Sequence, residues 1–436
     1  MRLAVVVQRY GPDINGGAEL HARYVAERLS RHAQVDVLTT CAHDYVSWRN
    51  ELPAGAEVLN GVTIRRFPVD RERTPDEFGK ESRHVFERQH SIADELRWLD
   101  SEGPTSTSLI RHIRDHRRDY DYFVFFSFRY YHAFHGFRAV PAQSVLVPTA
   151  ERDGAIGLGL FGPLFRGVRA LMYNSFEERA MIQAVSGNTA VPHVIVGIGS
   201  EVPARTAPER FRQKFDIRGR FLIYVGRIDE NKGCRQLFDF FLQHTKWTSG
   251  DLTLALIGRS IIPIPEHPAI RHLGFLNDED KFDGIAAADA LVMPSFFESL
   301  SMVALEAWAM GKPVLANGRC DVLKGQCLRS NAGLFYESLE EFHETLSLLQ
   351  THRTLAAALG ANGRAYFQRH YTWPVIERKY LDMFDRLKRE ERAGTVSVRP
   401  EALPGWFARR RYSERPAFDV LKDIPEGPVV TRERRR

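Results

Sequence analysis

The fold is decided by residues 2–40, "RLAVVVQRYGPDINGGAELHARYVAERLSRHAQVDVLTT". A continuous apolar run, Leu3 to Val7, leads into a glycine-containing loop, an amphipathic helical pattern from about Ala18 to Ser30, and a second β-type run, Val35 to Thr39. Short apolar runs on either side of one helix predict a strand–helix–strand unit of a parallel sheet. Further β-type runs at Val62 to Phe67, Tyr122 to Ser127, Ser144 to Val147, Ala170 to Tyr173 and Val194 to Val196 continue the alternation, with helical patterns between most of them. Residues 1–200 are therefore expected to form one doubly wound α/β domain.

The stretch "GSEVPARTAPERFRQKFDIRGR" (199–220) has two prolines and no sustained apolar run, and reads as a connector with a short helix. A new alternation follows, with strands at Phe221 to Val225, Leu252 to Ile257, Ala290 to Met293 and Pro313 to Ala316 and helices near 233–245, 278–287, 302–310, 338–350 and 353–369. The predicted fold class is α/β, with two Rossmann-like doubly wound domains, 1–200 and 201–390, facing across a cleft. The terminal helix near 373–390 is a candidate to pack back on the first. In open parallel sheets ligands lie outside the carboxyl ends of the strands, so functional residues are sought just after strands.

Composition excludes several classes. An apolar fraction of 44% and a charged fraction of 26% are those of a globular protein. The longest apolar runs fall far short of the roughly 20 residues that cross a bilayer, and no signal-type h-region follows Arg2. Cys41, Cys234, Cys320 and Cys327 form no C-x2-C pair, which argues against a zinc site and a disulfide framework and fits a reducing cytoplasm, free or at the inner face of the membrane. The net charge is +5, and residues 391–436, with eleven basic and seven acidic side chains, supply +4 of it. With its prolines and its terminal "TRERRR", this segment reads as a poorly ordered basic tail, ordinarily solvated and otherwise suited to anionic lipid or an acidic partner. No basic face in the first 200 residues points to nucleic acid.

Three loops carry chemistry. After the first strand, Gly16 and Gly17 precede a helix, where paired glycines let N–H groups approach an anion, although the G-x-G-x-x-G spacing of a dinucleotide site is absent and a simple connecting turn reads equally well. After Phe221 to Val225 comes "GRIDENKG", in which Arg227 and Lys232 flank a loop at a helix start, suited to a diphosphate or else solvated. After Ala290 to Met293 comes "FFESLSMVALEAWAMGKPV" (296–314), with Glu298 in the loop and Glu306 on the second turn of an apolar helix capped by Ser299 or Ser301 and stopped by Gly311. A buried carboxylate needs donors, which the vicinal hydroxyls of a sugar or ribose supply.

Together these second-domain motifs resemble the family 4 retaining glycosyltransferases of the GT-B fold. Glu298 and Glu306 match the E-x7-E motif, and Gly226, Arg227, Lys232 and Gly233 match the phosphate loop. The resemblance extends to "LIGRS" (256–260), "HLGFL" (272–276), "SNAGLFY" (330–336) and "YTWPVIERKYLDMF" (371–384), and is diffuse in the first domain. It implies that Arg227 and Lys232 bind the diphosphate of a nucleotide-sugar donor, that Glu306 receives the ribose, that Glu298 contacts the transferred sugar, and that the amides of Leu300 and Ser301 face a phosphate. Gly16 and Gly17 match the first-domain loop that completes the donor site. Many relatives have glycine where Ser301 stands. A further departure lies in "SVLVPTAERDGAIGLGLF" (144–161), where relatives commonly place a histidine and this chain has Glu151, followed by Arg152 and Asp153. Glu151 and Asp153 are candidate acceptor contacts, against a structural ion pair with Arg152, and Glu151 joins Arg227, Lys232 and Glu298 as a candidate catalytic residue.

The implied reaction moves a sugar to a glycan, lipid-linked or small-molecule acceptor, keeps the anomeric configuration, and uses no metal or other cofactor. The D-x-D triplets "DYD" (119–121) and "DED" (278–280) sit at the wrong sheet edge and at a helix start. The aromatic run "FVFFSFRYYHAFHGF" (123–137) reads as acceptor-stacking rings or as core, and "LGLFGPLFRGVRALM" (158–172) as a membrane contact or a core-facing helix. Competing readings are a nucleotide-dependent oxidoreductase, a non-catalytic sugar-nucleotide-binding scaffold, and a GT-B epimerase or inverting transferase. Base, sugar, acceptor and oligomeric state are not encoded in any motif.

Overall fold

A computed structural model describes residues 1–14, 16–248, 251–396, 398 and 400–430. The chain divides into two units, residues 1–197 with 377–425 and residues 198–376 with the terminal segment from Glu426.

In the first unit, strands β1 (Arg2–Val6), β2 (Gln34–Thr40), β3 (Gly55–Leu59), β4 (Val62–Phe67), β5 (Tyr122–Phe126), β6 (Ser144–Val147), β7 (Ala170–Tyr173) and β8 (His193–Ile195) form one sheet. Its order is β3-β4-β2-β1-β5-β6-β7-β8, parallel except where β3 pairs with β4. Strands β5, β6 and β7 are buried throughout, as their unbroken apolar runs require of a sheet covered on both faces. The antiparallel edge strand β3 is exposed along most of its length, and its mixed sequence offers no period to read.

The second unit holds β9 (Arg220–Val225), β10 (Leu252–Ile257), β11 (Ile270–Gly274), β12 (Ala290–Met293), β13 (Val314–Asn317) and β14 (Gly333–Tyr336), all parallel, in the order β11-β10-β9-β12-β13-β14. Both units are Rossmann-like: in each, strand order runs outward in two directions from a central pair, β1/β5 in the first and β9/β12 in the second.

The terminal helix Trp373–Arg392 enters the first unit at Glu377. There Phe384 stacks on Tyr122 with ring centroids 5.4 Å apart, and the Tyr122 hydroxyl donates to Glu391 at 2.8 Å.

The segment after it is no loose extension through residue 425, contrary to what its basic, proline-containing composition suggests. Glu401 forms a two-pronged ion pair with Arg166, at 2.6 and 2.9 Å. Glu414 exchanges backbone hydrogen bonds with His90, and helix Ala417–Lys422 lies on the Gly154–Gly157 turn. Ala417 and Ile424 are buried, and a Cβ on Gly157 would stand 2.3 Å from the Ala417 carbonyl oxygen. Arg152 closes the arrangement by donating to the carbonyls of Leu421, Ile424 and Pro425 at 3.1, 3.0 and 2.7 Å. Composition missed this strap because a few well-placed apolar residues and backbone contacts hold it. The final "TRERRR" lies outside the described residues.

Because Arg152 binds one carbonyl of that helix and two just beyond it, Arg152→Ala is expected to speed amide hydrogen exchange across 417–424 by at least about tenfold, from the loss of more than one hydrogen bond to a charged donor. Unchanged exchange by mass spectrometry would show that the strap does not depend on this residue.

Candidate active site

The second unit's switch point brings together the loops that follow β9 and β12, because those strands are neighbours in the sheet. The loops touch backbone to backbone. Gly233, at φ 71°, N-caps helix Cys234–Trp247, and a Cβ there would lie 2.1 Å from the Pro294 carbonyl oxygen. Only glycine combines that left-handed conformation with that approach. Asn317, at the end of β13, fixes the same carbonyl by donating to it at 2.9 Å.

Asp229 organises the β9 loop. Its buried carboxylate accepts from the Arg227 guanidinium and, at 2.7 Å, from the Lys232 amide, while the Tyr224 hydroxyl donates to the Arg227 carbonyl at 2.7 Å. The Arg227 side chain remains more than half exposed. Lys232 donates from Nζ to Glu298 Oε1 at 2.8 Å, so a cation from one loop and an anion from the other meet.

The β12 loop ends at Ser301, the N-cap of helix Met302–Ala309, whose Oγ accepts from the Ala304 amide. Ser301 stands at φ 73°, ψ 92°, a region that non-glycine residues rarely occupy. Its conformation gives a physical reason for glycine to be favoured at this place. The amides of Ser301, Met302 and Val303 have no acceptor among the described residues, as expected of the positive end of a helix.

Glu306 faces inward on that helix, 4% exposed. Its Oε1 accepts from the Ser200 hydroxyl at 3.0 Å and from Lys281 Nζ at 3.1 Å, whereas Oε2 is buried and has no partner among the described residues. Burial pulls the Lys281 ammonium down, but Glu306 and Asp278 outweigh it and hold the pKa above the ordinary lysine value. Half of a buried carboxylate thus stands ready for a donor that none of the described residues supplies.

In the first unit, Gly16 is the N-cap of helix Gly17–Leu29, and a Cβ at Gly17 would meet nothing within 4 Å. A Cβ at Gly16 would lie 2.1 Å from Glu19 Oε2. Glu19 is held in turn by Arg9, so this helix start already has a carboxylate in its first turn and is open only on the Gly17 side. Next to β1 at the switch point, Ser127 and Thr149 follow β5 and β6 at φ 66° and 49°, their hydroxyls 2.8 Å apart. Such conformations persist only where the surroundings enforce them and gather at functional sites.

The loop after β6 is divided in its roles. Asp153 caps the Gly154–Gly157 turn through the Ala155 amide at 3.0 Å and pairs with Arg129, which also binds Glu102 at 2.6 Å. The ion pair considered between Arg152 and its acidic neighbours is not formed by Asp153, and Arg152 reaches the strap. Glu151 is half-buried beside Glu178. Burial pushes the Glu178 carboxyl up to about 8 against the pull of the Asn174 and Ala150 amides, and Glu151 adds a like charge. Glu178 accepts from the Ala150 amide at 2.6 Å, so it sets the backbone from which Glu151 projects.

Several expectations resolve as core. Phe123, Phe125, Phe126, Phe128, Phe134 and Phe137 are fully buried, as are Phe161, Leu164 and Phe165 of helix Phe161–Gly167, so neither segment offers its rings to an acceptor or a membrane. Asp119 and Asp121 precede β5, and Asp121 accepts from the Arg2 amide at 2.6 Å. Asp278 and Asp280 lie in the first turn of helix Asp278–Ala287, whose cap is Asn277 rather than an aspartate. Among the described residues no three histidine, cysteine or acidic side chains cluster to hold a metal, the four cysteines are buried and unpaired, and no helix is long and apolar enough to cross a membrane. Asp229, Lys281 and Ser200 were not singled out from the sequence. Only Asp229, two places after Arg227 at a strand exit, carried a readable signal.

Residues 219–350 match the family model of group 1 glycosyl transferases. An uncharacterised glycosyltransferase of Methanocaldococcus jannaschii is 25% identical over 356 residues, 74% of this chain and 83% of the relative. Sucrose-phosphate synthase of Thermosynechococcus elongatus superposes with a TM-score of 0.66 at 16% identity, over 90% of this chain and 99% of its own. Anabaena HepE, in complex with UDP and glucose, gives 0.63 at 14% identity, over 88% and 99%. Fold and matches together support a glycosyltransferase of the GT-B fold.

At Ser301, glycine would release a backbone conformation costing about 1–3 kcal/mol and lose only a few tenths as a cap. Ser301→Gly is expected to raise the melting temperature of the second unit by about 2–4 °C per kcal/mol recovered. A lower melting temperature would mean that the serine cap outweighs the strain.

Proposed function

We propose that this chain is a retaining glycosyltransferase of the family 4 type that moves a sugar from a nucleotide-diphosphate sugar to a carbohydrate, lipid-linked or small-molecule acceptor. The observation that carries the reading is Glu306, a buried carboxylate with one oxygen bound by Lys281 and Ser200 and the other unpartnered. A ribose hydroxyl is the donor it lacks. The neighbour bound to UDP and glucose makes a UDP-sugar the first donor to test.

The remaining roles follow from charge. Arg227, Lys232 and the amides at Leu300 and Ser301 are assigned to the diphosphate, and Glu298 to the hydroxyls of the transferred sugar. The Lys232–Glu298 pair is then exchanged on binding: the diphosphate takes the ammonium, and the freed carboxylate takes the sugar. As the anomeric carbon–oxygen bond breaks, negative charge grows on the diphosphate, where fixed cations and a helix N-terminus stabilise it more than in the ground state. The same groups meet that charge without a metal. The departing phosphate accepts the acceptor's proton on the same face, so configuration is kept with no covalent enzyme intermediate.

In the first unit, the Gly16–Gly17 helix start is assigned to an anionic ligand group, which approaches on the Gly17 side because Glu19 lies against Gly16, and Glu151 is assigned to the acceptor. Asp153 serves Glu151 indirectly, by fixing the turn through Arg129 and Ala155.

Lys232→Ala is expected to leave the circular dichroism spectrum unchanged and to lower kcat/KM for a UDP-sugar by about 10–100-fold or more, the loss of one charge-assisted hydrogen bond of 1.5–3 kcal/mol together with its transition-state share. A folded variant with near-normal turnover would refute the phosphate assignment.

A further inference from the structure

The strap presents apolar surface that its own anchoring leaves uncovered. Between Glu401 and Glu414 the sequence "LPGWFARRRY" (403–412) contains no acid and three consecutive arginines. The segment is pinned on both sides. Upstream, Glu401 is bound by Arg166 and Leu403 packs on the first unit's core. Downstream, Gln89 donates to the Tyr412 carbonyl at 2.9 Å and Glu414 pairs with His90. Between the pins, the turn Ala408–Arg410 packs on helix Ile92–Glu102.

Despite this order, Trp406 is 55%, Phe407 79% and Tyr412 63% exposed. The two neighbouring rings pack only edge to face on each other, 4.8 Å between centroids, with the Arg410 guanidinium 3.8 Å from the Trp406 ring. Phe418, by contrast, has Phe86 as a partner. Two large exposed rings on a fixed turn, in a segment with three arginines and no acid of its own, match the chemistry of a bilayer interface. Trp and Phe enter the headgroup boundary and arginine meets anionic lipid.

We propose that residues 403–412 are a membrane-surface contact, with Trp406 and Phe407 as the inserting pair and Arg409, Arg410 and Arg411 as the binders of anionic headgroups. This places the contact on the strap rather than on the buried helix Phe161–Gly167. It is independent of the donor assignment, since none of these residues belongs to the candidate active site.

The test is co-sedimentation of the full chain with vesicles of phosphatidylcholine alone and of equimolar phosphatidylcholine and phosphatidylglycerol. Wild type is expected to bind the anionic vesicles and not the neutral ones. Arg409→Gln/Arg410→Gln/Arg411→Gln should reduce partitioning by on the order of a hundredfold, and Trp406→Ser/Phe407→Ser by at least about tenfold, with melting temperatures at the wild-type value. Failure of wild type to bind the anionic vesicles would overturn the proposal. So would a wild-type dimer that dissociates on Trp406→Ser/Phe407→Ser with vesicle binding unaffected, which would assign the rings to a second copy of the chain. So would wild-type binding that either folded variant leaves unchanged, and the single substitutions Phe407→Ser and Arg411→Gln, both at exposed positions, serve where a combined variant fails to fold.

Discussion

The second unit turns on the backbone contact between Gly233 and Pro294. Two loops that leave adjacent parallel strands are pressed so closely that a single methyl group would separate them. That contact puts Lys232 within hydrogen-bond reach of Glu298 and sets the start of helix Met302–Ala309 beside the basic loop. The assignments to the diphosphate and the transferred sugar follow from it. A loop loosened by one ångström would leave the ammonium and the helix N-terminus aimed at different points, and positioning errors of that size are costly in catalysis.

Glu306 works by a different principle. Burying a carboxylate is unfavourable unless it is paired and hydrogen-bonded, and Lys281 supplies the pairing at one oxygen only. The other oxygen keeps part of the desolvation cost unrelieved in the free protein. A ligand hydroxyl that reaches this oxygen recovers it.

The interior strands were legible because they are covered on both faces and read as unbroken apolar runs: β1, β5, β6, β9 and β12 all fall where their sequences place them. The edges were not. The sequences "GAEVL" of β3 and "IRHLG" of β11 expose most or some of their residues and carry no apolar period. Glu298 and Glu306 were legible as a spaced pair, but the partners of Glu306, Ser200 and Lys281, lie 106 and 25 positions away. No local pattern connects residues that only the fold brings together. The strap misled for the opposite reason. Proline and arginine describe a segment unable to form its own core, yet residues 401–425 borrow one, through Leu403, Ala417 and Ile424 against the first unit.

The first unit's loops show how a departure from a familiar pattern can be absorbed. Arg152 serves the strap and Asp153 the Gly154–Gly157 turn, while Glu151 lies beside the buried Glu178. Donor binding is assigned to groups of the second unit, and calorimetric titration with UDP probes it. Wild type is expected to bind UDP, and Glu306→Gln to bind it at least about tenfold more weakly, the equivalent of one hydrogen bond to a charged acceptor. Equal affinity in a folded Glu306→Gln protein would contradict that assignment.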